Sequence, residues 1–189
     1  LIGLGREIHR LFRRFTEENL KDFPGPEGKT LSMAMELAPE NETPLASVYE
    51  KAGRRLDQAK SEAKDCFYLL GKTLEWKHIS DAADLKDTMA RMVTDFGCSS
   101  QFLLELGAFY RESRGPAAVS AGRSKENQFD KPWRLHRRIN RVLGPTRDRE
   151  LQKLRSGLLG DLIRKSAAQW KLRPAGRVAL EWARLQTEA

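Results

Sequence analysis

The apolar positions of this chain recur at helical spacing in most places and at strand spacing in two. Leu1, Leu4, Ile8, Leu11, Phe12 and Phe15 fall on one side of a helical wheel, while Arg6, Arg10, Arg13 and Arg14 lie mostly off it. That predicts a helix over about residues 2–18. A turn-rich connection with two prolines and two glycines follows at 22–28. Over 30–37, Leu31, Met33, Met35 and Leu37 then alternate with Ser32, Ala34 and Glu36. Period two predicts a half-buried strand. Thr43 is a suitable N-cap and Pro44 a suitable first helical residue, because proline's missing N–H has no partner there anyway. Behind them Leu45, Val48, Tyr49, Ala52, Leu56, Ala59 and Ala63 make an apolar face that must be packed. The short apolar run 66–70 has strand length.

Past Trp76 the pattern predicts only helices. Leu85, Met89, Met92, Val93 and Phe96 form one stripe, ended by Gly97. Phe102, Leu103, Leu106, Phe109 and Tyr110 form another, capped by Ser99 or Ser100. Residues 113–130 are rich in Gly, Ser, Pro and charge and predict a mobile loop. Helices resume at Pro132, near Arg147 with Leu151, Leu154, Leu158 and Leu162, and after Pro174 with Val178, Ala179, Trp182 and Leu185. The expectation is an α+β region over 1–71, ordered α-β-α-β, followed by an all-α five-helix domain over 72–189.

The spelling of the first region carries a resemblance. The run AGRRLDQAKSEAK, with Leu56, Ala59 and Lys60, resembles the last helix of the diguanylate-cyclase-like palm, a ferredoxin-like fold. Ser32 stands in that family's Ser-x-Gly strand position, with Ala34 in place of the glycine. The added methyl fills the space through which a ligand would approach the backbone. The segments FYLLGKTLEW, SSQFLLELGAFYR, KPWRLHRRINRVL and RVALEWARL look like the C-terminal part of the large subunit of type III CRISPR effector complexes, of the Csm more than the Cmr type. The resemblance implies half of an ATP-holding palm joined to a helical domain, within an antiviral RNA-guided complex. In the intact subunit ATP and divalent metal would support cyclic oligoadenylate synthesis. Lys60 and Lys64 match the positions that touch the triphosphate, although two lysines on a helix face read equally as solvated surface. The family's Gly-Gly-Asp-Asp turn, which holds the metal, occurs nowhere in the chain. The chain is therefore expected to be a fragment without catalytic residues and inert by itself.

Charge adds a partner class. Residues 1–110 carry 15 Lys plus Arg against 18 Asp plus Glu, and 111–189 carry 19 against 8, so a net −3 is followed by a net +11. Such asymmetry suits a polyanion or an acidic protein neighbour. Around Trp133, Arg134, Arg137, Arg138 and Arg141 share about a hundred degrees of one helix, opposite Leu135, His136, Ile139, Val142 and Leu143. Guanidiniums in a strip match phosphates along a backbone. A solvated face, or pairing with acidic groups of a neighbouring subunit, remains the alternative. By resemblance the partners are guide RNA, target RNA and the complex's small helical subunit. The other functional reading is a stand-alone basic helical nucleic-acid-binding protein with a helix-turn-helix between Arg134 and Ile163, for which the LGPTRD turn at 143–148 is suitable.

Other chemistry is thinly represented. GKT at 71–73 lacks the earlier glycine of a P-loop, since Cys66 stands there. His9, His78 and His136 share no metal-ligand spacing with Cys66 or Cys98, so no metal site is expected. The two cysteines read as reduced, buried thiols, and the four tryptophans as core residues rather than base-stacking platforms. No apolar run reaches the ~20 residues that cross a bilayer. A cytoplasmic protein away from membranes is expected.

Overall fold

A computed structural model describes residues 1–20, 29–38, 44–62, 64–112, 132–166 and 169–187. The loop expected at 113–130 lies outside them. The α+β class expected from the sequence holds, with seven α-helices and a small mixed sheet among the described residues. The chain divides into two compact units, Leu1–Ile79 and Ser80–Ala189.

The first unit contains α1 (Ile2–Asn19), β1 (Met33–Ala34), α2 (Leu45–Glu62), β2 (Cys66–Leu69) and β3 (Lys72–Glu75). The strands lie in the order β1-β2-β3. β1 runs parallel to β2, with Met33 opposite Phe67 and Ala34 opposite Tyr68. The expected strand over 30–37 is thus reduced to two residues, lengthened by one further bond from Met35 N to Tyr68 O at 2.8 Å. β2 and β3 form an antiparallel hairpin. Leu70 (φ 48°) and Gly71 (φ 79°) make its two-residue turn, both left-handed, which matches the twist of the flanking strands. GKT therefore opens a strand, not a phosphate-binding helix. Ala59, Cys66, Tyr68 and Ala34 pack on one side of the sheet, where α2 lies. On Phe67 and Met33 rests α1, through Gly5, where an added Cβ would come within 3.3 Å of the Phe67 ring. His9 stacks on Trp76 at 4.3 Å between ring centroids, and Trp76 stacks on Phe67 at 4.8 Å. Trp76 Nε1 donates to Leu31 O at 2.7 Å, and His9 Nε2 lies 2.9 Å from Asp65 Oδ1.

Both helices depart from the faces read in the sequence. α1 turns Ile2, Gly5, His9 and Phe12 inward and leaves Leu4, Ile8, Leu11 and Phe15 exposed at 60%, 40%, 50% and 58%. The flat side that lets Phe67 approach contains Gly5, so the bulkier stripe is rotated away. α2 packs through Val48, Ala52, Leu56 and Ala59, whereas Leu45 and Tyr49 in its first turns stay in solvent at 83% and 79% exposure. Ala63 lies outside the described residues.

The second unit contains, apart from the first residue of α3, five helices: α3 (Ile79–Thr94), α4 (Gln101–Glu112), α5 (Pro132–Leu143), α6 (Arg149–Leu162) and α7 (Pro174–Thr187). Met89, Met92, Phe102, Leu103, Leu106, Leu135, Ile139, Leu158, Leu162, Val178 and Leu180 are buried. The all-helical expectation for 72–189 is corrected twice. β3 begins at Lys72, and β4 (Ile163–Ser166) pairs antiparallel with β5 (Gln169–Leu172) between α6 and α7. Arg164, Lys165 and Ser166 are polar in succession, so no period-two alternation marked this ribbon. α4 meets α7 closely at Gly176, where an added Cβ would run into the Tyr110 hydroxyl and lie 2.6 Å from Leu162 Cδ2. The Tyr110 hydroxyl donates to Arg173 O at 3.0 Å. Arg173 also pairs with Asp81 and donates to Asp161 O at 3.2 Å, joining the starts of α3 and α7 to the end of α6.

Candidate nucleic-acid interface

The helix α5 takes its place because Leu135 and Ile139, one turn apart, are both buried as it packs against α4. That anchoring turns Arg134, Arg137 and Arg141 into solvent. Arg138 is set apart from them. Its guanidinium bonds the Glu105 carboxylate of α4 through Nε at 3.1 Å and Nη2 at 3.0 Å, with both side chains largely buried. This pair of bonds is an internal brace. The strip offered to a polyanion is therefore Arg134, Arg137 and Arg141, with Arg138 behind it. The side chains of Pro132 and Trp133 lie outside the described residues. His136 departs from the apolar arc expected for it: it is exposed and within 2.9 Å of Asn140 Nδ2.

The turn at 144–148 holds α6 in a defined place. Gly144 adopts φ 65° and donates its N–H to Asn140 O at 3.1 Å, closing α5. Asp148 caps α6 by accepting from Glu150 N at 2.8 Å and Leu151 N at 3.0 Å. Arg155 reaches back from α6 to Gly144 O at 2.9 Å and Asn140 Oδ1 at 2.8 Å. This clamp escaped the sequence reading, as did the Glu105 brace. Each rests on one arginine making two polar bonds to another element and leaves no periodic signal. Arg147, Arg149 and Lys153 are exposed at and after the turn and add to the positive field.

The lysines assigned to nucleotide contact are exposed. α2 ends at Glu62, which leaves Lys60 in its last turn and Lys64 beyond it, in the bend that enters β2. They do not occupy consecutive turns of one helix, as the sequence reading had them. Ser32 Oγ accepts from Cys66 N at 3.5 Å, tying the first two strands. Cys66 is buried; Cys98 is half-buried, and burial pushes its thiol pKa up. Trp76 is a core residue, and Trp182 is half-buried under Lys86, whose Nζ stands 5.0 Å from the ring centroid. The side chain of Trp170 lies outside the described residues. Among the described residues no three His, Cys, Asp or Glu side chains gather as a metal would require, and no helix is long and apolar enough to cross a membrane. Compared with family models, curated proteins and solved structures, the chain matches none.

Proposed function

We propose that this chain is a C-terminal segment of the large subunit of a type III CRISPR effector complex. In this reading the second unit docks on guide and target RNA beside the small helical subunit, and the first unit contributes half of a cyclase-like palm. The observation that carries the proposal is the order helix, strand, helix, strand, with β1 and β2 paired in parallel through α2. A basic helical unit follows after β3. A helical crossover is the usual way to join parallel neighbours. In the intact subunit ATP and divalent metal would be held partly by residues outside this chain, with Lys60 and Lys64 on the triphosphate. Among the described residues no three His, Cys, Asp or Glu side chains gather, and in this reading the chain alone makes no product from ATP and metal; turnover by the purified chain would overturn that part. The setting is cytoplasmic.

Arg134, Arg137 and Arg141 are the RNA-contacting residues in this proposal. Charge reversal at Arg137 and Arg141 should weaken binding to single-stranded guide RNA by about tenfold or more and flatten its salt dependence. Helicity by circular dichroism should not change. Unchanged affinity across a salt titration would overturn the assignment.

A second reading has one observation in its favour. The Arg155 clamp and the Asp148 cap fix α5, the turn and α6 as a unit, as a helix-turn-helix in a stand-alone nucleic-acid-binding protein would require. Preference for duplex DNA over guide RNA at equal salt would favour it.

A further inference from the structure

We propose that α1 is a pairing surface for a second copy of this chain, with the two α1 helices side by side and antiparallel. Leu1, Leu4, Ile8, Leu11 and Phe15 repeat at alternating spacings of three and four, the seam of a two-stranded coiled coil, and all are exposed. Glu18 takes the next place in the repeat and ends the seam.

The flanks of the seam select both occupant and direction. On one side Gly5 and Phe12 are turned inward, Gly5 onto Phe67 and Met33 of the chain's own sheet. On the other side Glu7 and Arg14 stand in solvent. An antiparallel pair would layer Leu4 on Phe15 and Ile8 on Leu11 of the second copy. Glu7 lies between the first two of these residues, and Arg14 of the second copy between the other two. Each Glu7 would therefore meet an Arg14, twice over by symmetry. A parallel pair would set these charges against the sheet-packed flank instead. Glu7 already pairs with Arg10 at 2.5 Å and Arg14 with Glu18 at 2.9 Å, but such exposed pairs within a helix are weak and can be shared or exchanged.

The 18 residues of α1 span about 27 Å and give four apolar layers. The area covered, on the order of 1,000 Å² for the two copies together, is at the low end for a specific interface. The dimer is accordingly a reversible, concentration-dependent one. None of these residues belongs to the arginine strip, so failure of the pairing would leave the RNA-contact assignment standing.

The test is sedimentation equilibrium of the 189-residue chain over a wide concentration range. Wild type should pass from monomer to dimer. Glu7→Arg alone and Arg14→Glu alone should each weaken dimerisation by about tenfold or more, since each sets like charges together. The double exchange Glu7→Arg with Arg14→Glu should restore it, which a merely misfolded variant would not do. Leu11→Asp should leave only monomer, with helicity kept because Gly5 still packs on Phe67 and Ile2 stays buried. A monomer at every concentration would overturn the proposal. A dimer indifferent to Leu11→Asp, or a double exchange that fails to restore pairing, would do so too.

Discussion

Gly176 leaves the space that the Tyr110 hydroxyl and Leu162 Cδ2 fill. A methyl at 176 has nowhere to go, because the phenol stands over it and is held in place by its bond to Arg173 O. Gly176→Ala should therefore cost about 2 kcal/mol or more through overpacking, measured by urea denaturation. Tyr110 is buried, and burial pushes its phenol well above the usual tyrosine range, with the Arg173 charge opposing weakly. The folded protein thus resists ionisation more than the unfolded chain does. The associated stability is fully present below the unfolded value of about 10 and is lost as pH rises toward the folded one. Unfolding free energy should fall above about pH 10 in the wild type, and Tyr110→Phe should remove that part of the fall while costing about 1 kcal/mol at neutral pH.

Single elements are held by caps and braces that can be removed one at a time. Asp148→Ala should cost about 1 kcal/mol, because two N–H groups at the start of α6 lose their acceptor. Glu105→Gln should weaken the brace on α5 and lower stability, while the dependence of RNA affinity on salt keeps its slope, since Arg138 is not part of the outer strip. These elements also mark how far the sequence could be read. The existence of α2 and β2 was legible from an apolar face and an apolar run, whereas Thr43, read as the cap, lies outside the described residues and α2 begins at Leu45, after Pro44. So was the segregation of arginine from Leu135 and Ile139 on α5. Which side of α1 packs was not legible, since the apolar stripe is the bulkier side and only Gly5 fits against Phe67. The β2–β3 hairpin was missed because Leu70 in its turn is a residue type seldom left-handed. The β4–β5 ribbon was missed because its polar residues do not alternate. Neither the Glu105 brace nor the Arg155 clamp could be inferred, since each joins residues distant in sequence whose meeting depends on the packed helices around them.

At the scale of the molecule, charge follows the division into units. Residues 1–79 carry 13 Lys plus Arg and 13 Asp plus Glu, and 80–189 carry 21 and 13, so the first unit is neutral and the second +8. Affinity for a polyanion should thus be a property of the second unit. Replacing Arg134, Arg137 and Arg141 together by Gln should reduce the slope of log affinity against log salt by about 2 to 3, read by fluorescence anisotropy over a salt series. Lys60→Gln should leave that slope in place. Of the four tryptophans, Trp76 alone falls in the first unit. Its indole is enclosed by His9 and Phe67 and bonded to Leu31 O. With the other three replaced by phenylalanine, its emission would act as an optical gauge of one unit only, so that melting of the sheet could be timed apart from melting of the helices.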